Sequence, residues 1–138
     1  MARRKDHTPE QLRSLIRSAA RKLLCKNGLQ GLTARALAIK IGYAPGTIYN
    51  VYRDMDSLIL DINFETLGKL DQFCQAQTLG LPKDSTRVRA LAYAYVDFAH
   101  KNQRAWESIF AIPRKGNQTP QLPEDYRQRI LSLFARIE

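Results

Sequence analysis

Polar and cationic side chains that could bind another molecule are concentrated between residues 33 and 53, TARALAIKIGYAPGTIYNVYR. At about 100° per residue, one side of a helix beginning near Pro45 consists of Gly46, Tyr49, Asn50 and Arg53. None of these residues is acidic, so this side would not repel a phosphate. A helix of this size fits the major groove of DNA, and free N–H groups at its N-terminus can lie on a backbone phosphate. The chemistry that this spacing indicates is noncovalent recognition of a nucleic acid.

Two short helices are predicted to position these side chains. Thr33 is suited to an N-cap, and the first helix runs from Thr33 to Ile41. Gly42 can adopt the positive φ of a helix C-terminus, and Pro45 suits the first turn of the next helix because its missing N–H would be unsatisfied there anyway. The residues that can face a core are Ala34, Leu37, Ala38 and Ile41, then Ile48, Val51 and Tyr52. We predict a helix-turn-helix; the alternative is a helical hairpin within an all-α core.

The positive charge of the chain is confined to the part that contains these two helices. The formal charge of +9 arises wholly between residues 1 and 53, where eleven Lys or Arg accompany two acidic residues. From residue 54 to 138 there are eleven basic and eleven acidic residues. Lys and Arg gain affinity for nucleic acids by displacing condensed counterions from phosphates, so the distribution predicts a polyanionic partner. The competing interpretation is attraction to a membrane surface, which would require an exposed apolar face.

Length and composition bound the class of protein. The 138 residues, 44% apolar and 25% charged, suit one compact core, or one small domain with part of another. No apolar run approaches the ~20 residues of a membrane span, and the N-terminus lacks the apolar segment of a secretion signal. We therefore expect a cytoplasmic protein that does not act at a membrane. Cys25 and Cys74 lack metal-binding spacing and are expected to be free and packed, with a redox-sensing disulfide as the alternative.

The residues before the helix-turn-helix are expected to form a basic arm and a long helix. Residues 1–7 could lie along or in a minor groove, or could act as a solubilising tail. Thr8 suits an N-cap, Pro9 a first helical position, and Gln11 the second half of a capping box. The helix should end near Asn27. Its cations, expected to be solvated rather than in contact with DNA, are Arg13, Arg17, Arg21 and Lys22.

A wider set of spaced residues extends across and beyond the two short helices. These residues are Gly28, Leu29, Gly31, Leu32, Thr33, Ala38, Gly42, Gly46, Thr47, Ile48, Tyr49, Tyr52, Ser57 and Leu58. The combination covers roughly residues 8–62 and resembles the DNA-binding domain of the TetR family of bacterial transcriptional regulators. In that family the short second and third helices form the helix-turn-helix.

The resemblance implies which residues bind DNA. It implies an operator contact by Arg35, base-edge contacts by Pro45, Gly46 and Asn50, and phosphate contacts by Thr47 and Tyr49, with Thr33 and Arg53 as further DNA-binding residues. The chain departs from the family at Met55, where a lysine often binds a phosphate. We expect Arg53 to substitute for that contact.

The rest of the sequence predicts further helices. The fourth helix, capped by Asp54 or Asp56, should run about 35 Å to Thr78. Later helices are expected over 85–102 and 103–112, and from 123 to the final residue, with a loop at 113–123. The predicted fold class is all-α: a three-helix DNA-binding domain at 1–55, joined by the long fourth helix to a helical ligand-binding and dimerisation domain at 56–138.

The resemblance also places the effector site and the dimer interface after the fourth helix. The segment from Phe98 to Phe110 looks like that region in several family members. The ligand-binding residues it implies are Tyr93, Phe98, Trp106 and Phe110, and the alternative is that these rings form an ordinary core. His100 is expected to be an exposed residue or a residue at a helix end. The last helix should carry its apolar residues through Ile137, so we expect this domain to be incomplete.

These observations favour a TetR-like regulator, a repressor that binds a palindromic operator in double-stranded DNA and is released by an unidentified small molecule. The full-length form is expected to be a homodimer. Two alternatives are a sequence-independent nucleic-acid binder and a protein-interaction fragment that uses the apolar face of the last helix. An enzyme is not expected, because the sequence has no nucleophile with a nearby base, no HExxH and no Gly-rich phosphate loop after a strand. No cofactor or metal is predicted.

Overall fold

The computed structural model describes residues 7–111 and 122–136, and their regular structure is entirely helical. The elements are α1 (Pro9–Asn27), a 3-10 turn (Leu29–Gly31), α2 (Ala34–Ile41), α3 (Pro45–Val51), α4 (Met55–Thr78), α5 (Ser85–Lys101), α6 (Gln103–Phe110) and α7 (Glu124–Phe134). The predicted all-α class is confirmed. By their internal contacts the residues form two compact units, Met1–Ile62 and Asn63–Glu138. Residues 1–6 of the predicted basic arm, and most of the predicted loop at 113–123, lie outside the described residues.

Helix α1 begins at the predicted capping box. The Thr8 hydroxyl accepts a hydrogen bond from the Gln11 backbone N–H at 3.2 Å, and the Gln11 side chain accepts one from the Thr8 N–H at 2.9 Å. These two bonds satisfy N–H groups that a helix start leaves without intrahelical partners. The helix ends at Asn27, and Gly28 follows with φ 73°. Both ends were therefore predictable from local sequence.

The core of the first unit is built where α1, α2, α3 and the start of α4 meet. Its buried residues are Ile16, Ala19, Ala20, Leu23, Leu24, Leu32, Leu37, Ala38, Ile48, Tyr52, Leu58 and Ile62. Helices this short have little stability of their own, so burial of their apolar sides holds them in place. The apolar residues predicted to face the core from α2 and α3 include Leu37, Ala38 and Ile48, which are buried in it.

The prediction that the arginines of α1 are solvated is wrong for Arg17 and Arg21, which are half-buried, whereas Arg13 is exposed. The guanidinium groups of Arg13 and Arg17 lie 3.7 and 3.6 Å from the Asp61 carboxylate. Arg21 donates a hydrogen bond to the backbone carbonyl of Ile62 at 3.1 Å. Because α4 supplies a carboxylate and a carbonyl close to α1, these side chains make polar contacts between the two helices within the first unit. Lys22 is exposed, as predicted.

Tyr52 joins the end of α3 to Asp61 of α4 and Arg13 of α1. Only 2% of its surface is exposed, and its hydroxyl donates a hydrogen bond to Asp61 at 2.6 Å. The guanidinium carbon of Arg13 lies 4.4 Å from the ring centroid, in cation–π geometry. Burial, followed by the hydrogen bond to Asp61, raises the pKa of Tyr52 well above its usual range. Tyr52, the residue that follows α3, therefore stays neutral.

Asp54 caps α4, which decides between the two predicted caps. Its carboxylate accepts hydrogen bonds from the Ser57 N–H at 2.8 Å and from the Ser57 hydroxyl at 2.7 Å. These two bonds favour the charged form and hold the pKa of Asp54 below its usual value. The contribution of this cap to stability is present above pH 3.8 and is lost as the pH falls through the lowered pKa.

Polar side chains connect α4 and α6 inside the second unit. Asn63 is fully buried; its amide donates to the Ser108 carbonyl at 2.9 Å and accepts from the Ser108 hydroxyl at 2.8 Å. Both polar groups of the Asn63 side chain are therefore satisfied. Tyr126 of α7 is buried as well, with 2% of its surface exposed, yet its hydroxyl has no hydrogen bond of good geometry among the described residues. Burial raises the pKa of Tyr126 to about 12, and the polar side chain of Asn63 lowers this pKa by a smaller amount.

Two arginines attach α7 to α4. The Arg129 guanidinium stacks 3.8 Å from the Phe64 ring centroid and donates to the Phe64 carbonyl. A Cβ at Gly68 would lie 2.5 Å from the same guanidinium, so this glycine leaves room for it. Arg136, in the turn after α7, donates a hydrogen bond from its Nε to the Asp71 carboxylate at 2.6 Å. The prediction that the last helix continues to the final residue is wrong, because α7 ends at Phe134; Ile137 lies outside the described residues.

The two cysteines are both free but differ in their surroundings. Cys74 is buried, and burial raises the pKa of its thiol. Cys25 is exposed, so the expectation that both would be packed is wrong for this residue. It lies on the side of α1 that carries Lys22 and Lys26, away from the core residues of that helix. Among the described residues, no helix is both long and apolar enough to cross a membrane.

The two buried tyrosines should respond oppositely to loss of their hydroxyl groups. Tyr52→Phe removes a hydrogen bond to a carboxylate and is expected to lower the free energy of unfolding by about 1.5 to 3 kcal/mol. Tyr126→Phe removes a buried hydroxyl without a well-formed hydrogen bond and is expected to raise it by roughly 1 kcal/mol. Urea denaturation at neutral pH measures both changes.

Alkaline titration provides a second measurement on the same pair. Because the folded pKa of Tyr126 is about 12 against an ordinary 10, burial disfavours the ionised hydroxyl: this group leaves the stability independent of pH below about pH 10, and the stability falls as the pH rises from 10 towards 12. In Tyr126→Phe this part of the loss of stability at alkaline pH should be absent. A loss of stability in Tyr126→Phe at neutral pH would contradict the account, since it would show that the hydroxyl is bonded.

Candidate nucleic-acid interface

The turn between α2 and α3 has the geometry predicted for a helix-turn-helix. Gly42 adopts φ 75° and ψ 31°, the left-handed conformation that residues with a side chain rarely adopt. The N–H groups of Gly42 and Tyr43 both donate to the Ala38 carbonyl, at 2.9 and 3.1 Å, and close the end of α2. After this turn Pro45 occupies the first position of α3. The predicted pair of short helices is confirmed.

Helix α3 has one buried side and one exposed side. Ile48 and Tyr52 are 1% and 2% exposed and pack into the core of the first unit. On the opposite side Gly46 and Asn50 are exposed, and Tyr49 has an exposed fraction of 51%. The predicted division of the helix is confirmed as geometry. The roles of the outward residues in binding stay predictions.

The remaining predicted DNA-binding residues lie in α2, in α3 and just outside these two helices in the sequence. Thr33 caps α2 by accepting the Ala36 N–H at 3.1 Å, which leaves its hydroxyl proton able to donate to another group. Arg35 and Pro45 are exposed, and Thr47 is half-buried. The Arg53 side chain is 84% exposed and pairs with Asp54 at 3.4 Å. This contact is weak at such exposure, so Arg53 can turn to a phosphate.

His7 and Tyr43 form a contact that the sequence analysis missed. The His7 Nδ1 and the Tyr43 hydroxyl are 2.6 Å apart, and their ring centroids are separated by 6.0 Å. The contact ties the residue just before the α1 cap to the turn between α2 and α3. His7 is the last residue of the predicted basic arm, and this contact places it beside the helix-turn-helix. No local pattern predicts a pairing of residues 36 positions apart.

The four aromatic residues predicted to bind a ligand do not form one group. Phe98 is buried, and Phe110 is largely exposed; the Trp106 ring packs against both, with centroid distances of 6.4 and 5.4 Å. Tyr93 is 71% exposed and lines a separate groove of about 480 Å³. The other residues that line this groove are Phe73, Gln77, Ala90, Ala94, Val96, Asp97 and His100. The described residues contain no cluster of His, Cys, Asp or Glu that could hold a metal ion.

The comparison of sequences identifies the family. The model of the bacterial regulatory proteins of the tetR family matches residues 16–62, the range that includes the helix-turn-helix. YobS, an uncharacterized HTH-type transcriptional regulator of Bacillus subtilis, is 30% identical over 95 residues, which make up 68% of this chain and 49% of YobS. The chain thus spans about half the length of this relative. On these matches the chain belongs to the tetR family.

Solved structures share the fold. A TetR family protein from Vibrio parahaemolyticus is 22% identical with a TM-score of 0.58, over 91% of this chain and 64% of that protein. The multidrug binding protein EbrR, in a crystal structure with imidazole, is 16% identical with a TM-score of 0.68, over 99% of this chain and 76% of EbrR. At these identities the likeness concerns the fold alone.

Two glycines of the helix-turn-helix should respond oppositely to substitution by alanine. Gly42→Ala places a Cβ on a left-handed residue and is expected to lower the free energy of unfolding by about 1 to 2 kcal/mol. In Gly46→Ala the new Cβ meets nothing within 4 Å, so this variant should gain about 0.5 to 1 kcal/mol of helix stability.

Urea midpoints of the two variants and the parent measure the difference, and Gly42→Asn is the matched control. Asparagine tolerates the left-handed conformation better than alanine, so Gly42→Asn should lose less stability than Gly42→Ala. Equal midpoints for the parent and Gly42→Ala would show that the turn does not require a residue of this kind.

Proposed function

We propose that this chain is a DNA-binding transcriptional regulator and that α3 enters the major groove of its operator. The observation that supports this most is the division of α3: Ile48 and Tyr52 are buried, while Gly46, Tyr49 and Asn50 are exposed. A seven-residue helix presented in this way has the size and polarity that major-groove recognition requires. The excess positive charge of the chain lies in the same unit and supplies affinity for phosphates.

The absence of a side chain at Gly46 supports a close approach at this surface. A Cβ at this position would touch no atom within 4 Å, and the residue lies inside a helix, where glycine is less stable than alanine. Packing within the protein therefore gives no reason for glycine here. A base pair or sugar close to the backbone of α3 gives one.

The exposed residues divide into two roles in this proposal. Base-edge contacts are assigned to the outward side of α3 and to the start of α2, and phosphate contacts to hydroxyl and guanidinium groups at the margins. The base-reading residues are Arg35, Pro45, Gly46 and Asn50, and the phosphate-binding residues are Thr33, Thr47, Tyr49 and Arg53. Bases supply specificity, whereas phosphates fix the position of the helix.

The regulator acts as a homodimer on a palindromic site in this proposal. Two recognition helices of a helix-turn-helix dimer lie about 34 to 36 Å apart, one turn of DNA. Binding of such a dimer to a promoter blocks transcription, which makes a repressor the form of regulation we propose. Its target places the protein in the cytoplasm.

A small-molecule effector bound in the second unit would release the DNA. Similarity of fold to EbrR, described as a multidrug binding protein, supports a ligand of this kind. The groove beside Tyr93 has a volume of about 480 Å³, within the usual range for small-molecule sites. The effector would favour a conformation with a different separation of the recognition helices, through a coupling free energy of about 1 to 3 kcal/mol.

A sequence-independent nucleic-acid binder is the second candidate, and the charge of residues 1–53 favours it. It would bind DNA with the same steep dependence on salt. Its affinities for specific and random DNA would be nearly equal, whereas operators usually give ratios of ~10³ or more.

Substitution of Asn50 distinguishes the two candidates. Asn50→Ala is expected to cost about 1 to 3 kcal/mol of discrimination at one base pair, because the amide can no longer hydrogen-bond to a base edge. Affinity for random DNA should change little, since phosphate contacts remain. Competition titrations of operator against random duplex DNA, at one fixed salt concentration, measure both quantities.

Gln30→Ala provides the matched control. It removes an exposed amide from the same unit, outside α2 and α3, and should leave both affinities unchanged. If Asn50→Ala weakened binding to operator and random DNA by the same factor, Asn50 would read no base and the proposed role would be wrong.

A further inference from the structure

A polar cleft in the second unit lies outside the groove beside Tyr93. It has a volume of about 290 Å³ and is formed by the end of α4, the start of α5 and the turn after α7. The residues that line it are Thr78, Lys83, Asp84, Arg87, Val88, Ala135 and Arg136. Three of these side chains are cations, and one is a carboxylate. We refer to this cavity as the polar cleft.

The carboxylate in the polar cleft is already engaged. Asp84 caps α5 by accepting the Thr86 N–H at 2.7 Å. Lys83, its neighbour in the chain, is exposed and has neither an ion pair nor a hydrogen bond to any described residue. The charge of Lys83 is therefore not neutralised inside the fold.

The two arginines of the polar cleft are held in place by other contacts. Arg87 donates from one terminal nitrogen to the Leu81 carbonyl, and Arg136 donates from its Nε to Asp71 at 2.6 Å. The Nε of Arg87 is buried and has no hydrogen-bond partner among the described residues. A guanidinium has five N–H donors, so both groups keep donors that these contacts do not use. Fixed guanidinium groups with unused donors are suited to bind an oxyanion.

We propose that the polar cleft binds a small oxyanion, the phosphate or carboxylate group of a small molecule. Lys83, Arg87 and Arg136 would supply the positive charge, and the first turn of α5 would add the positive end of its helix dipole. Two carboxylates oppose this attraction: Asp71 is paired with Arg136, and Asp84 directs one carboxylate oxygen to the helix through its hydrogen bond to the backbone. The volume lies near the lower limit for small-molecule sites and suits a compact ligand.

An NMR titration of the full chain with inorganic phosphate tests the proposal. Phosphate also binds basic residues elsewhere, so the signal must be local: the backbone amides of Thr78, Arg136 and residues 83–88. Ionic strength is kept constant with sodium chloride. We expect saturable shifts at these amides with phosphate, with acetate, or with both, and the more effective anion identifies the preferred ligand group. Shifts that do not saturate with either anion would overturn the proposal.

A pair of variants separates a built site from general attraction of charge. Lys83→Gln removes one cation of the polar cleft and should weaken anion binding about tenfold, the loss of roughly one charge-assisted hydrogen bond. Arg104→Gln removes the same charge from an exposed position of α6 that does not line the cleft, and should leave binding unchanged. Lys83 and Arg104 are both exposed, so both variants should fold. Equal weakening in the two variants, or no weakening in Lys83→Gln, would contradict the proposal.

Discussion

A helix of seven residues is not stable in water by itself, so α3 depends on the contacts that bury one of its sides. Ile48 inserts into the core formed by α1 and α2, and Tyr52 fixes the last turn through its hydrogen bond to Asp61. Once these two residues are buried, the 100° rotation per residue leaves Tyr49 and Asn50 facing outward. The exposed surface of α3 is thus a consequence of how its opposite side packs.

The cations of the first unit serve two purposes that the net charge alone does not distinguish. Arg13 and Arg17 lie beside the Asp61 carboxylate, and Arg21 donates to the Ile62 carbonyl; of the three, Arg17 and Arg21 are half-buried. Arg35 and Arg53 remain largely exposed around the helix-turn-helix. The positive charge that a polyanion would meet is therefore smaller than the sequence total suggests. Arg13 and Arg17 lie beside the Tyr52–Asp61 pair at the end of α3.

The features that could be predicted from the sequence are those that local chemistry determines. The Thr8 capping box, the left-handed Gly42 and the proline at the start of α3 each act within four residues, so their patterns predicted α1, α2 and α3 correctly. Contacts between distant residues were not predictable. The pairing of Tyr52 with Arg13, the contact of His7 with Tyr43, and the separation of Tyr93 from Trp106 all depend on how the helices pack. Side-chain spacing along one helix carries no information about partners on another.

Selection of bound sequences from a pool of random duplex DNA tests most directly whether the exposed side of α3 reads bases. Reading by two copies of this helix predicts the enrichment of a palindrome whose half-sites are about one helical turn apart, about 34 to 36 Å between centres. A selected pool that stays as random as the starting pool, although the protein retains it, would contradict the account. In that case the positive charge of the first unit would bind DNA without the outward side of α3.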